Sequence, residues 1–263
     1  MAIPTMELKS GHAMPVLGLG TWQLRGKQCE RAVNWALEMG YTHVDTSDDY
    51  SNEEHIGAAI KNFDRSCLFI TSKVDDSRLH KRDLVDSCRG SLDRLGIDYL
   101  DLYLIHRPNP TIPIEESMEA MTDLVRRGMV RSMGISNFNV AGTRTAMKVS
   151  DVPVCINQIK IHPYHYPADV VDFCHAKGVN VTAYSPLDTG GIVRDDMLTK
   201  IGGRYGKSAA QTSLRWLLER DLIVIPKASS KKHLNENIDV FDWSLSTEDF
   251  ETIAEYSTRV LRG

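Results

Sequence analysis

VLGLGT, residues 16–21, is the run on which the fold turns. It reads as a short, continuous apolar strand, and no G-x-G-x-x-G comes after it. An open, doubly wound nucleotide-binding sheet carries that glycine fingerprint immediately after its first strand. Similar short runs recur down the chain at residues 42–45, 68–73, 99–105, 130–136, 154–159, 179–183 and 222–226. They are rich in Val, Ile and Leu and are continuous rather than alternating, the pattern of strands covered on both faces.

Helical patterns lie between these runs. Leu84, Cys88, Leu92 and Leu95 recur at helical spacing, as do Ala210, Leu214, Leu217 and Leu218. Ser208 followed by Gln211 predicts a capping box, and Ser246 followed by Asp249 predicts the N-cap of a final helix. Gly40 and Gly178 stand where helices should stop. Repeated strand-then-helix units fit a closed barrel and an open sheet alike. The missing fingerprint and the even composition favour an α/β fold of the (β/α)8 TIM-barrel type, one domain over residues 1–263. Residues 7–15, with a Ser10-Gly11 turn, predict a small N-terminal β-hairpin closing the barrel floor.

Composition narrows the function classes. Apolar residues make up 42% and charged residues 25% of the 263 positions, and the net charge is −4. Nucleic acid and anionic membranes both favour a basic balance, so neither is an expected partner. Cys29, Cys67, Cys88, Cys155 and Cys174 are scattered and form no C-x-x-C, which predicts buried small hydrophobes in a reducing compartment. The N-terminal stretch MAIPTMELKSGHAMP has no apolar core of a signal peptide. No apolar run approaches the roughly 20 residues of a membrane span. A cytoplasmic protein is expected.

In a barrel, chemistry gathers at the C-terminal ends of the strands. There the sequence places Asp45, with Tyr50 five residues on, then Lys73, His106, Ser136-Asn137, Asn157-Gln158, Tyr184-Ser185 and Pro226-Lys227. Each has an ordinary structural explanation alone: a rim tyrosine, a core histidine, an Asp–Lys ion pair. Convergence on one opening favours a site.

Over essentially its whole length the chain resembles the aldo-keto reductases. The segments that carry the resemblance are MPVLGLGTW (14–22), GYTHVDTSDDYSNEEHIGAAI (40–60), LFITSK (68–73), SLDRLGIDYLDLYLIHRP (91–108), GMVRSMGISNF (128–138), INQIKIHPY (156–164), VTAYSPL (181–187) and IPKASSKKHLNENIDVFDWSLS (225–246). The short loops are similar to those of microbial members of the 2,5-diketo-D-gluconate reductase kind. The resemblance implies a catalytic tetrad of Asp45, Tyr50, Lys73 and His106, and NADPH as cofactor. It implies that Ser136, Asn137 and Gln158 hold the nicotinamide carboxamide and that Tyr184 stacks on the ring. Residues 227–237 would grip the adenosine 2′-phosphate. The full cofactor set so implied is Thr21, Trp22, Asp45, Ser136, Asn137, Gln158, Tyr184, Ser185, Leu187, Lys227, Ser229, Ser230, His233, Glu236 and Asn237. The implied substrate pocket is Trp22, Asp49, Tyr50, His106 and Arg107.

Carbonyl reduction needs a hydride at carbon and a proton at oxygen. A phenol with a pKa near 10 donates sluggishly at neutral pH, and a neighbouring ammonium lowers that pKa. Lys73 is placed to do so, Asp45 to keep it charged, and His106 to orient the carbonyl oxygen. Two departures from the family matter. Where relatives carry an Arg in the phosphate clamp this chain has His233, flanked by Lys231 and Lys232, so NADPH is expected to be preferred by a reduced margin with NADH usable. Relatives also carry Trp after the strand-3 Lys and after the strand-4 His, where this chain reads Val74-Asp75-Asp76 and Arg107-Pro108. Asp49, just before Tyr50, is charged where relatives often have an apolar residue, and Arg107 and these aspartates are expected to pair with one another at the rim.

Two other functions stay open at this level. Lys73 would serve a Schiff-base lyase, and a cofactor-binding sensor would keep the same cleft with vestigial turnover. No metal is expected, since Pro163 between His162 and His165 spoils a regular helical ligand pair. A small carbonyl compound is the expected partner, and a monomer the expected state.

Overall fold

The structure, a computed structural model, describes residues 2–260. The ends of the expected 1–263 domain, Met1 and residues 261–263, lie outside the described residues. Two short strands, β1 (Thr5–Glu7) and β2 (Ala13–Pro15), open the chain. Strands and helices then alternate: β3 (Leu19–Gly20), α1 (Gly26–Glu38), β4 (His43–Asp45), α2 (Glu53–Ile60), β5 (Phe69–Val74), α3 (Lys81–Leu95), β6 (Leu100–Ile105), α4 (Ile114–Arg126), β7 (Val130–Ser136), α5 (Val140–Val149), β8 (Val154–Lys160), α6 (Ala168–Ala176) and β9 (Asn180–Tyr184). The last turn of the pattern is α7 (Asp196–Gly203), α8 (Ala209–Leu218), β10 (Ile223–Val224), α9 (Lys231–Ile238) and α10 (Thr247–Val260).

Strands β3 to β10 lie side by side in chain order, all parallel. The sheet closes on itself where β3 meets β10. Bridges pair Leu17 with Val224 and Gly20 with Lys227. The Gly18 N–H donates to Val224 O at 2.9 Å, and the Val224 N–H to Val16 O at 2.9 Å. The expected strands at 16–21 and 222–226 therefore shrink to two ladder residues each. Pro226 has no N–H to offer the ladder. The glycines of the opening run serve this closure. A Cβ on Gly20 would stand 2.5 Å from Ile225 O, and one on Gly18 2.3 Å from the His43 ring.

The (β/α)8 barrel expected from the sequence is thus present, with its hairpin. Strands β1 and β2 pair antiparallel, Met6 opposite Met14. Leu8 and Met14 pack with Phe69, Leu102, Leu104, Cys155, Ile156 and Ile223 into a plug at the barrel's N-terminal end. Ser10 Oγ meets Ser132 Oγ of β7 at 2.7 Å, fixing the hairpin there.

A larger apolar layer lies between barrel and helices. β5 and β6 are buried along their whole length, as their continuous apolar sequences predict. Leu84, Cys88, Leu92 and Leu95 form the inner face of α3. Each fully buried Leu contributes about 1.5–3 kcal/mol, so packing rather than propensity holds this helix. The capping box is present: the Gln211 N–H donates to Ser208 Oγ at 3.3 Å and the Ser208 N–H to Gln211 Oε1 at 3.0 Å. The Asp249 N–H donates to Ser246 Oγ at 3.1 Å. Gly40 and Gly178 end their helices with φ of +97° and +63°. Four of the cysteines are buried, but Cys67 is exposed, because it stands on a surface turn beside Asp64 rather than on a packed face. Among the described residues no helix is long and apolar enough to cross a membrane.

Candidate active site

The strand ends deliver their polar residues to one rim. Asp45 closes β4, Lys73 is the penultimate residue of β5, and His106 directly follows β6. Ser136 ends β7, Gln158 lies in β8 opposite it, and Tyr184 ends β9. Tyr50 arrives on a single 3-10 turn, Asp48–Tyr50, just beyond β4. Asn52 anchors the chain beyond this turn: its Nδ2 donates to Thr21 O at 2.9 Å and Leu24 O at 3.1 Å. The loop after β3 is thereby tied to the loop after β4.

Lys73 is fully buried. Its ammonium donates to Asp45 Oδ1 at 2.6 Å and to Thr46 O at 2.7 Å. The other Asp45 oxygen accepts from Gln158 Nε2 at 2.8 Å. Burial alone pulls the Lys73 pKa down, but Asp45, Tyr50 and Asp49 outweigh it, and the net displacement is upward. Lys73 stays a cation, 5.2 Å from the centre of the Tyr50 ring. For Tyr50 the balance runs against the simple expectation from Lys73. Burial pushes its pKa up, the Lys73 charge pulls it down, and burial wins. The phenol keeps its proton, with a cation behind it ready to stabilise the phenolate.

His106 packs edge-on against Tyr50, ring centres 5.7 Å apart. Its Nδ1 lies 3.1 Å from Ser47 Oγ and 3.6 Å from Asp49 Oδ1. Its Nε2 has no hydrogen bond among the described residues. Burial and then the Lys73 charge push its pKa down to about 4, so the ring is neutral at pH 7. A neutral imidazole can donate one hydrogen bond to a carbonyl oxygen, beside the Tyr50 hydroxyl.

These groups open into a cavity of about 760 Å³. Of the residues expected at the cofactor and substrate, Thr21, Trp22, Asp45, Asp49, Tyr50, His106, Arg107, Ser136, Asn137, Gln158, Tyr184, Ser185, Leu187, Lys227, His233, Glu236 and Asn237 line it. Asn137 is held at a φ of +63°, its Nδ2 donating to His106 O at 2.9 Å and its Oδ1 accepting from the Tyr184 hydroxyl at 2.8 Å. Ser136 Oγ donates to Gln158 O at 2.8 Å. Lys73 lies behind the cavity wall.

Ser229 and Ser230 are not on the wall. Ser230 instead caps α9, accepting from the His233 N–H at 3.3 Å. Lys231 lies towards α1, 3.8 Å from Glu38 and over the Trp35 ring. The expected rim pairing fails as well. Arg107 has no ion pair or hydrogen bond among the described residues. Asp75 accepts from Ser77 N–H at 3.0 Å, and Asp49 faces His106. Sequence reasoning missed Gln23, Pro186, Thr189, Gly190, Val193 and Ala210 on the wall. Gln23 and Thr189 are left-handed, φ +65° and +52°. Only the Gly190-Gly191 pair signalled a turn there. His162 and His165 close a tight turn by mutual backbone hydrogen bonds of 3.1 and 2.8 Å.

Comparison with known proteins agrees with this geometry. The model of the aldo/keto reductase family matches residues 16–258. An aldo-keto reductase of Mycobacterium avium is 40% identical over 265 aligned residues, covering 99% of this chain and 93% of its own. The crystal structure of an aldo/keto reductase from Brucella melitensis, 37% identical, superposes with a TM-score of 0.94 over 97% of this chain and 98% of that one. A Bombyx mori aldo-keto reductase solved in complex with NADP is 33% identical, with a TM-score of 0.91 over 97% and 93% of the two chains. Fold and sequence coincide with these relatives over nearly the whole chain, and the chain belongs to the aldo-keto reductase family.

Proposed function

We propose that this enzyme reduces aldehydes or ketones to alcohols with NADPH, Tyr50 giving the proton to the carbonyl oxygen. The observation that carries this reading is the sealed Asp45–Lys73 pair behind a protonated Tyr50, with a neutral His106 beside it. The cavity suits a dinucleotide: amide and hydroxyl groups of Ser136, Asn137 and Gln158 line it, and so do Lys227 and His233 from the segment that leads into α9. The Bombyx mori relative was crystallised with NADP. When bound, NADPH supplies the hydride that reaches the carbonyl carbon.

The protein's own groups do the rest. Tyr50 and His106 direct two hydrogen-bond donors at one oxygen, stabilising the negative charge that develops there. As that charge grows, the phenolic proton passes to it, and the Lys73 cation stabilises the phenolate left behind. Asp45 holds Lys73 in place. His233 stands where relatives carry an Arg, and an imidazole lacks the two-pronged guanidinium fork that grips a phosphate, which favours NADPH by a reduced margin. A Schiff-base role for Lys73 fits poorly, because a buried, ion-paired ammonium with a raised pKa is a weak nucleophile.

The test is a steady-state panel of aldehydes, ketones and sugar-derived dicarbonyls with NADPH and with NADH. One alcohol formed per cofactor oxidised supports the reading. Tight NADPH binding with no turnover on any panel member overturns it in favour of a sensor.

A further inference from the structure

Arg107 is a cation at the mouth of the cavity that makes no hydrogen bond or close ion pair among the described residues. It is exposed, it lines the wall with Tyr50 and His106, and among the described residues no carboxylate oxygen lies within 4.0 Å of it, although Asp75 feels its charge from further off. The residues on either side of it are constrained. The His106 N–H donates to Val74 O at 3.0 Å, His106 O accepts from Asn137 Nδ2 at 2.9 Å, and Pro108 comes next in the chain. Its charge already reaches the wall: burial raises the Tyr184 pKa, and Arg107 is the strongest opposing influence. The other charges of the wall are accounted for differently. Asp45 is neutralised by Lys73, Asp49 lies on the Nδ1 side of His106, and Lys227 and Glu236 stand at the α9 end.

We propose that Arg107 is a specificity-determining residue that selects carbonyl compounds carrying a carboxylate. This rests on the reductase reading above. A guanidinium presents a planar fork that matches a carboxylate with two parallel hydrogen bonds. The aldehyde or ketone is reduced as before, hydride to carbon and proton to oxygen, while the carboxylate is unchanged and serves only as a handle. Asp49, on the same wall, works against the anion and sets the size of the preference.

The experiment compares 4-carboxybenzaldehyde with its neutral methyl ester, reading the ratio of the two kcat/KM values within each variant so that any general loss cancels. The wild type is expected to favour the carboxylate about tenfold at low salt, roughly 1.4 kcal/mol. The preference should shrink as salt screens the charge. Arg107→Gln should bring the ratio to about one, Arg107→Lys should restore part of it, and Asp49→Asn should raise it. A wild-type ratio near one, or a preference that survives Arg107→Gln, overturns the proposal. If the wild type turns over neither aldehyde, the panel of aldehydes, ketones and dicarbonyls decides the reductase reading. Calorimetric binding of 4-(hydroxymethyl)benzoate then decides Arg107 separately: a Kd about tenfold weaker in Arg107→Gln sustains its role, and an unchanged Kd overturns it.

Discussion

Asp45 Oδ1 and Lys73 Nζ stand 2.6 Å apart, both side chains sealed from solvent. An ion pair taken so far out of water persists only when its remaining valences are filled. Here Thr46 O and Gln158 Nε2 fill them. Removing one partner therefore leaves a buried charge without compensation. Lys73→Met is expected to cost about 3–5 kcal/mol of stability as well as turnover. The double change Lys73→Met with Asp45→Asn should recover much of the stability and none of the turnover. Denaturant melts and kcat on the three proteins check this; equal stability of Lys73→Met and wild type would contradict it.

Tyr50→Phe deletes one hydroxyl and little packing. Loss of a positioned general acid typically costs about 10²–10⁴ in rate. The expected outcome is a fall in kcat of that order, with the Kd for NADPH and the melting temperature close to wild type. Retention of wild-type kcat on an aldehyde would remove Tyr50 from its assigned role.

Acid should destabilise the fold over a defined window. His43 and His106 both have pKa values lowered from 6.5 to about 4, burial being the main cause in each. Between these values the unfolded chain binds protons that the native state refuses, so stability rises with pH through the window and is lost as pH falls. A pKa difference of one between the folded and unfolded chain corresponds to about 1.4 kcal/mol, so each ring contributes on the order of 3 kcal/mol at pH 7 that is lost in acid. Unfolding free energy measured from pH 7.5 down to 4 should decline most steeply below about 6.5. A flat profile across that range would show that these rings accept protons freely.

His233→Arg should sharpen cofactor choice. The wild-type ratio of kcat/KM for NADPH over NADH is expected to lie below about a thousandfold, roughly 4 kcal/mol. A guanidinium at this position, at the start of α9, adds a fixed charge and a second hydrogen bond to a phosphate. The ratio should rise about tenfold in the variant. An unchanged ratio would mean that the phosphate does not meet residue 233.

The barrel and the strand-end residues were legible because their signals are local: apolar runs of strand length, and polar residues at the C-terminal end of each run. The capping pairs Ser208–Gln211 and Ser246–Asp249 were legible for the same reason. What escaped depends on three-dimensional balance. The rim charges near Arg107 read as a cluster in sequence, yet Asp75 turns to its own Ser77 and Asp49 to His106. Lys231 reads as a neighbour of His233, but helical geometry swings it towards Glu38. The pKa of Tyr50 depends on the depth of its burial, which no spacing reveals.

The junction of β3 and β10 has a consequence for the assembled enzyme. Gly20 and Thr21 on one side of it, and Ile225, Pro226 and Lys227 on the other, all face the same cavity. The barrel's shortest strands meet there, joined by a handful of backbone bonds rather than a long ladder. A ligand that fills the cavity would touch both margins at once and act as a clasp across the hoop. Its binding energy adds to the closure of the barrel, since anything that binds only the closed form stabilises it.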